Sequence, residues 1–333
     1  MRSTIFAMAL AAVPAFAQES TIITERGASD VAAILKGQSA LADGSTYTPP
    51  GAIGSDACQK DECCLWHYIS LEMVELFKDG NRCGSLARQA IRLMFHDSGA
   101  WNTSMTFGGS DGSAVLTEEL DRRENTGVRE IAGHMKTWHN KYRGKGISMA
   151  DLIQVGASVA TVVCPKGPRI RTFVGRLDST MPAPAGLLPG PNQDPDKIKA
   201  MMAAKGISPD ELVALLGSHT VSRQSAVDPA QRGAPQDTTP GTWDTTFFRE
   251  TAASNAPRGV VRIPSDVALA HDAATSAKWA SFSAPNAQTA WNAAYAQAAF
   301  KMSMFGVKNY NDMVECSAIL PLPRKGGFSK FKI

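Results

Sequence analysis

No stretch of this chain approaches the ~20 consecutive apolar residues that a membrane-spanning helix needs, so nothing in it reads as a membrane segment. Charge of either sign is also scarce. Lys plus Arg number 34 against 31 Asp plus Glu, a net charge of +3, too small to argue for nucleic acid or an anionic surface as partner. The six cysteines form no C-x-x-C pair and have no cluster of histidines nearby, which disfavours a zinc site. Internal repeats and low-complexity tracts are missing, and only Gly259-Val260-Val261-Arg262-Ile263 looks like a strand. The 333 residues suffice for one large domain or two lobes.

What is present begins with a leader. Arg2 gives a basic start, Ile5 to Val13 a short apolar region, and Ala15-Phe16-Ala17 an A-x-A cleavage site. Residues 1–17 therefore read as a secretory signal peptide. Export makes disulfides the expected state of the cysteines. Cys58, Cys63, Cys64, Cys83, Cys164 and Cys316 all follow the cleavage site. Six cysteines allow 15 connectivities, and spacing does not choose among them. Residues 18–57, with Gly, Ser, Thr, Pro49 and Pro50, read as a loosely ordered lead-in or propeptide.

From Cys63 the pattern is helical. Trp66, Ile69, Met73, Val74 and Phe77 fall at helical spacing, and Gly80 ends the run. Further helices are expected over 85–98, 128–142, 148–163, 243–253 and 286–304. Ser148 and Asp151 make a capping-box-like start. Ser208-Pro209-Asp210-Glu211 opens another helix with Ser at the N-cap, Pro at the first position and Glu at the third. The chain is thus expected to be all-α with long loops.

Two of these helices carry a histidine. Arg92 and His96 are four residues apart and share a face, with Phe95 close by. On the second helix Leu212, Leu215, Leu216 and His219 recur at i, i+3, i+4 and i+7. A lone histidine at the end of an apolar helix is usually a core or capping residue. Two such helices, one with an arginine beside its histidine, suit haem: one imidazole on the iron, the other moving protons opposite. Each helix also leads into an oxygen-rich loop. Asp97 precedes Gly108-Gly109-Ser110-Asp111-Gly112-Ser113; Thr220 precedes Asp237-Thr238-Thr239-Pro240-Gly241-Thr242-Trp243-Asp244. Carboxylates, hydroxyls and glycine-exposed carbonyls are the hard ligands Ca²⁺ takes, although such residues also make ordinary turns.

On these stretches the chain resembles the fungal secreted haem peroxidases, the class that includes lignin and manganese peroxidases. The likeness also rests on Glu119 to Asn125, Val174-Gly175-Arg176, Met181 to Pro189 and Ser265-Asp266, and spans roughly Cys58 to Pro321. It implies a two-lobed helical domain over 58–333, with a distal lobe to about 175 and a proximal lobe after it, and haem b between them. His96 would be the distal base, with Arg92 and Phe95 beside it. Asn125, supported by Glu119, would hold its far nitrogen. His219 would be the axial iron ligand and Asp266 its acceptor. One Ca²⁺ would take Asp97, Gly109, Asp111 and Ser113; a second would take Thr220, Asp237, Thr239, Thr242 and Asp244. The disulfides implied are Cys58–Cys64, Cys63–Cys316 and Cys83–Cys164. The protein would be an extracellular monomer using hydrogen peroxide to oxidise phenolic and small aromatic donors.

The chain departs from the specialised members. The three carboxylates that hold Mn²⁺ are replaced by Ser85, Gln89 and Ser225, and the exposed tryptophan five residues before the proximal histidine by Ala214. Trp66, Trp243 and Trp279 sit in apolar patterns and read as core; Tyr142 and Trp101 are alternative surface radical positions. Gln236 stands where an apolar aromatic is expected, and Asn102-Thr103-Ser104 is a glycosylation sequon. The other readings are a ligninolytic enzyme with a relocated radical site, and a non-catalytic secreted haem binder.

Overall fold

The computed structural model describes residues 27–224 and 227–323, and is mostly helical. The proposed signal peptide and Ser225 lie outside the described residues. A helix over 27–35 (α1) comes first, then a short turn Asp56–Gln59 (α2) and the long helix Glu62–Phe77 (α3). A hairpin of Lys78–Asp79 (β1) and Arg82–Cys83 (β2) turns the chain into Ser85–Ser98 (α4), the helix of Arg92 and His96. Ser113–Leu116 (α5), Arg129–Lys141 (α6) and Met149–Val163 (α7) follow. Nearly every residue of α7 is buried, so it is the central rod of this half, and α4, α3 and α6 pack around it. The side chain of Ser148 caps α7 by accepting from the Asp151 N–H. The Asp151 carboxylate does not complete the box; it binds the Gly175 and Arg176 amides and the Arg176 guanidinium instead. That buried ion pair fixes the start of the connection to the second half.

The strand Phe173–Val174 (β3) opens that connection. The second half is built from Pro195–Ala203 (α8), Pro209–Leu216 (α9), Thr246–Ala252 (α10), Pro264–His271 (α11), Ser276–Ser283 (α12) and Gln288–Ser303 (α13). Ser208 and Glu211 make the reciprocal capping box expected of them. α13 lies along α9 and also touches α4. Its Trp291 stacks on Trp243 at 4.9 Å, and Tyr295 meets Trp243 edge-on. Trp66, Trp243 and Trp279 are all in the core, as their apolar patterns predict.

Two expectations fail. Residues 27–57 are not loosely ordered: Val31 and Ile34 are fully buried, and the following segment is pinned to the body. Ala42 N–H donates to the Arg169 carbonyl, Arg171 N–H to Ala40, and Tyr47 N–H to Ala318. The Arg169 guanidinium completes the clasp by binding the carbonyls of Asp43, Ser317 and Leu320. Nor is 259–263 a strand. Val260 and Val261 are buried, but the Val260 amide bonds to the Pro257 carbonyl in a turn and the Val261 amide to the distant Pro235 carbonyl, with no ladder. The small strand pairs instead are β1–β2 and β3 with Val314–Glu315 (β4). The structure contains Cys58–Cys64, Cys63–Cys316 and Cys83–Cys164. Two of them tie segments 253 and 81 residues apart.

Candidate active site

His96 is buried near the C-terminal end of α4, with both ring nitrogens assigned. Arg92 Nε, one turn back, donates to Nε2 at 2.9 Å. An N–H donor at Nε2 makes that nitrogen the acceptor, so Nδ1 carries the proton and donates to Asn125 Oδ1 at 2.6 Å. The Asn125 amide is oriented in turn by Nδ2, which donates to the Glu119 main-chain carbonyl at 2.7 Å. The support from Glu119 is therefore its backbone. Its buried carboxylate does another job, accepting from the Ala183 amide and from Arg122 and so pinning the 181–190 loop. Burial, reinforced by the Arg92 cation, pushes the His96 imidazole down to about 3, against the opposing bond to Asn125. His96 is thus a neutral base with a cation at its side. Burial also lowers the Arg92 guanidinium. Gly127 makes room for that guanidinium: a β-carbon there would lie 2.7 Å from Nη1. Sequence reading missed Gly127, since nothing local marks it.

His219 sits in a 3₁₀ turn, Gly217–Val221, that continues α9. Its Nδ1 donates to the buried Asp266 Oδ2 at 2.7 Å, leaving Nε2 without a hydrogen bond among the described residues. The ring is packed edge-on against Phe247, 5.7 Å between centroids. Gly217 is pressed on Trp291, whose indole N–H donates to the Ala214 carbonyl. Ala214 is itself fully buried. Phe95, Leu188, Leu216 and His219 are only half-buried, and Leu188 reaches Gly99 at the end of α4. An imidazole with one nitrogen anchored and the other open, among half-covered apolar side chains, fits the iron and the flat apolar body of a haem.

The two oxygen-rich loops close on themselves beside the histidines. Asp97 is buried and accepts from the Gly112 and Ala114 amides, each at 3.2 Å. Burial first, then the Asp111 charge, hold its carboxyl well above the usual range. Asp111 accepts from the Ser113 amide, and Gly109 takes a left-handed φ of 99° that brings its carbonyl to the Asp111 amide. At the other loop Thr220 Oγ1 donates to Asp237 Oδ2 at 2.5 Å, and Thr239 Oγ1 lies 3.0 Å from Asp244 Oδ1. The Thr242 carbonyl is 3.4 Å from Thr220. Burial raises Asp237 to about 7. Carboxylates raised by burial, with hydroxyls and carbonyls beside them, are donor sets that a hard dication would relieve. No group of three or more His, Cys, Asp or Glu gathers at one point among the described residues.

At the two described positions where the resemblance would place Mn²⁺ carboxylates, Gln89 Nε2 binds Ser85 Oγ and the Glu130 carboxylate, at 3.3 and 2.7 Å. One carboxylate is therefore nearby, tied to an amide. Tyr142 is buried, not a surface group; its OH and the Trp138 indole both donate to Glu72. Trp101 is half-buried and stacked on Phe305. Gln236 is buried with its Oε1 unpaired among the described residues. Asn102 is half-buried, its Oδ1 taken by Ser104.

A peroxidase family model matches residues 69–285. Among curated relatives, the chain is 32% identical over 298 residues to a versatile peroxidase of Pleurotus eryngii, covering 82% of this chain and 78% of the relative. It is 30% identical over 322 residues to a peroxidase of Arthromyces ramosus, covering 88% and 86%. To a manganese peroxidase of Phlebia radiata it is 36% identical over 270 residues, covering 73% and 68%.

Proposed function

The chain belongs to the peroxidase family and is a hydrogen-peroxide-dependent oxidoreductase, and on that premise we propose how its own residues do the work: His219 holds haem iron, His96 and Arg92 activate peroxide, and phenols or small aromatics are the donors. The observation that carries this reading is the opposite wiring of the two histidines. Asp266 takes the N–H of His219 and leaves an electron-rich Nε2 for a metal. Asn125 takes the N–H of His96 and leaves a basic Nε2 beside a cation.

When bound, the haem supplies the redox chemistry, accepting two oxidising equivalents from peroxide and passing them on one electron at a time. The protein supplies proton transfer and charge. His96 Nε2 accepts a proton from hydrogen peroxide and returns it to the oxygen that leaves as water. Arg92 stabilises the negative charge that develops as the O–O bond lengthens. Asn125 keeps the His96 tautomer correct throughout. Two Ca²⁺ ions, one on Asp97, Gly109, Asp111 and Ser113 and one on Thr220, Asp237, Thr239, Thr242 and Asp244, would hold the histidine helices in place. We read the protein as extracellular, from the leader-like pattern of residues 1–17 and three disulfides; no helix among the described residues is long and apolar enough to cross a membrane.

The test compares His96→Ala with His219→Ala. His96→Ala should keep the haem absorbance band and react with peroxide ~10²–10⁴-fold more slowly. His219→Ala should lose or shift the band. A normal peroxide rate in His96→Ala would overturn the assignment, and haem loss from it alone would reverse the two roles. A wild type that binds haem and does not react with peroxide would mean a passive carrier.

A further inference from the structure

The helices that hold His219 from behind have an outer face, and it is hollow. α10, α11 and α12 border an open surface groove of about 590 Å³, lined by Arg249, Ala252, Ala270, His271, Trp279 and Ala280 among others. This is within the ~300–1,000 Å³ of small-molecule sites. We propose that this groove is a second donor site, taking small aromatic carboxylates of the hydroxycinnamate type and oxidising them through Trp279. The proposal rests on the peroxidase reading above.

Three features of the groove select that donor. Its walls are mostly small alanine and serine side chains, which leave room for an aromatic ring. Among the described residues its ionisable lining groups are Arg249 and His271, both exposed, with no carboxylate beside them. An arginine at the rim of an apolar groove fits an anionic aromatic, since a guanidinium pairs a carboxylate through two parallel N–H bonds. The third feature is the floor. Trp279 is 1% exposed, and its ring lies 5.5 Å from Phe247, which in turn lies 5.7 Å from His219. Two ring contacts therefore join the groove to the imidazole assigned to the iron.

The electron balance is simple. The peroxide reaction supplies the oxidant. Trp279 gives up one electron along Phe247 toward His219. Its indole N–H donates to the Phe248 carbonyl at 2.8 Å, an acceptor too weak to take the proton, so the oxidised indole stays a cation and is refilled rather than degraded. The bound phenol then gives one electron to Trp279 and its hydroxyl proton to solvent, leaving as a phenoxyl radical. α10 carries both Phe247 and Arg249, and α11 both Asp266 and His271. The groove and the two side chains that touch His219, Phe247 and Asp266, are thus carried by the same helices.

The experiment uses the haem-loaded enzyme with two probes, 4-hydroxycinnamate and neutral phenol. Arg249→Ala should raise KM for 4-hydroxycinnamate about threefold, the worth of a solvent-exposed ion pair, and leave KM for phenol unchanged. Ala280→Trp, at an exposed position, should fill the groove and remove saturable 4-hydroxycinnamate binding by calorimetry. Trp279→Phe should abolish an indole radical signal that peroxide alone raises in the wild type, with the peroxide rate itself intact. If Trp279→Phe fails to fold, the other two variants still decide. A normal peroxide rate with 4-hydroxycinnamate kinetics and binding unchanged in Arg249→Ala and Ala280→Trp would overturn the groove. Failure of the wild type to react with peroxide would instead overturn the underlying reading.

Discussion

Gly127 lies so close to the Arg92 guanidinium that a β-carbon on it would sit 2.7 Å from Nη1. The neighbour that must yield is the far end of a flexible side chain, so Gly127→Ala should fold with a stability change within about 1 kcal/mol. The guanidinium, however, would move off the line on which Nε meets His96 Nε2 at 2.9 Å. We expect the peroxide reaction to slow by roughly tenfold or more, since small displacements of a charge-stabilising group are costly. Stopped-flow rates beside a melting curve check this; equal rates would mean that Arg92 placement is not limiting.

The pH dependence follows from His96. Its folded imidazole protonates at about 3, below the ordinary 6.5. The peroxide reaction needs the neutral form, so its rate should stay level from neutrality down to about pH 4 and fall only near pH 3. Stability runs in the same direction. Between 6.5 and 3 the unfolded chain takes up a proton that the folded chain refuses, so this contribution is complete above 6.5 and is lost as pH falls toward 3. A rate that halves near pH 6.5 would show that His96 is solvated or is not the base.

Calcium should be found in the purified protein, near two ions per chain if both loops fill. Asp97 directly follows His96 and Thr220 directly follows His219, so emptying either loop lets a histidine drift. Chelation should lower both melting temperature and activity, because an ion bound only by the folded state stabilises it by mass action. A metal-free sample with full activity and an unchanged melting point would remove the ions from the account.

Donor choice gives the last expectation. Ser85 and Gln89 are neutral, and the one carboxylate beside them, Glu130, is hydrogen-bonded to Gln89. A single tethered carboxylate holds a hard dication poorly. Phenols should turn over efficiently and Mn²⁺ oxidation should not saturate at micromolar metal. Ser85→Glu with Gln89→Glu and Ser225→Asp should introduce measurable Mn²⁺ oxidation. Saturable wild-type oxidation of Mn²⁺ would mean a carboxylate cluster elsewhere.

What the sequence by itself determined is whatever a few neighbouring residues decide. The span of α4, the face shared by Arg92 and His96, and the Ser208–Glu211 capping box depend on spacing along one helix, which is fixed by 3.6 residues per turn. The oxygen-rich character of the 108–113 and 237–244 loops is likewise written in composition. Tertiary structure decided the rest, because those choices are made by groups distant in the chain. Val260 and Val261 have strand propensity but no neighbouring strand to pair with, so burial took them and a ladder did not form. Residues 27–57 lack a pattern of their own, yet the buried Arg169 guanidinium needs carbonyl acceptors and gathers Asp43 with Ser317 and Leu320 around it. Asn125 could be named from its motif, but its support through the Glu119 main chain, and the space Gly127 leaves for Arg92, depend on how one loop closes over α4. The groove over Trp279 is furthest from the sequence of all, since three helices must pack before their small side chains border anything.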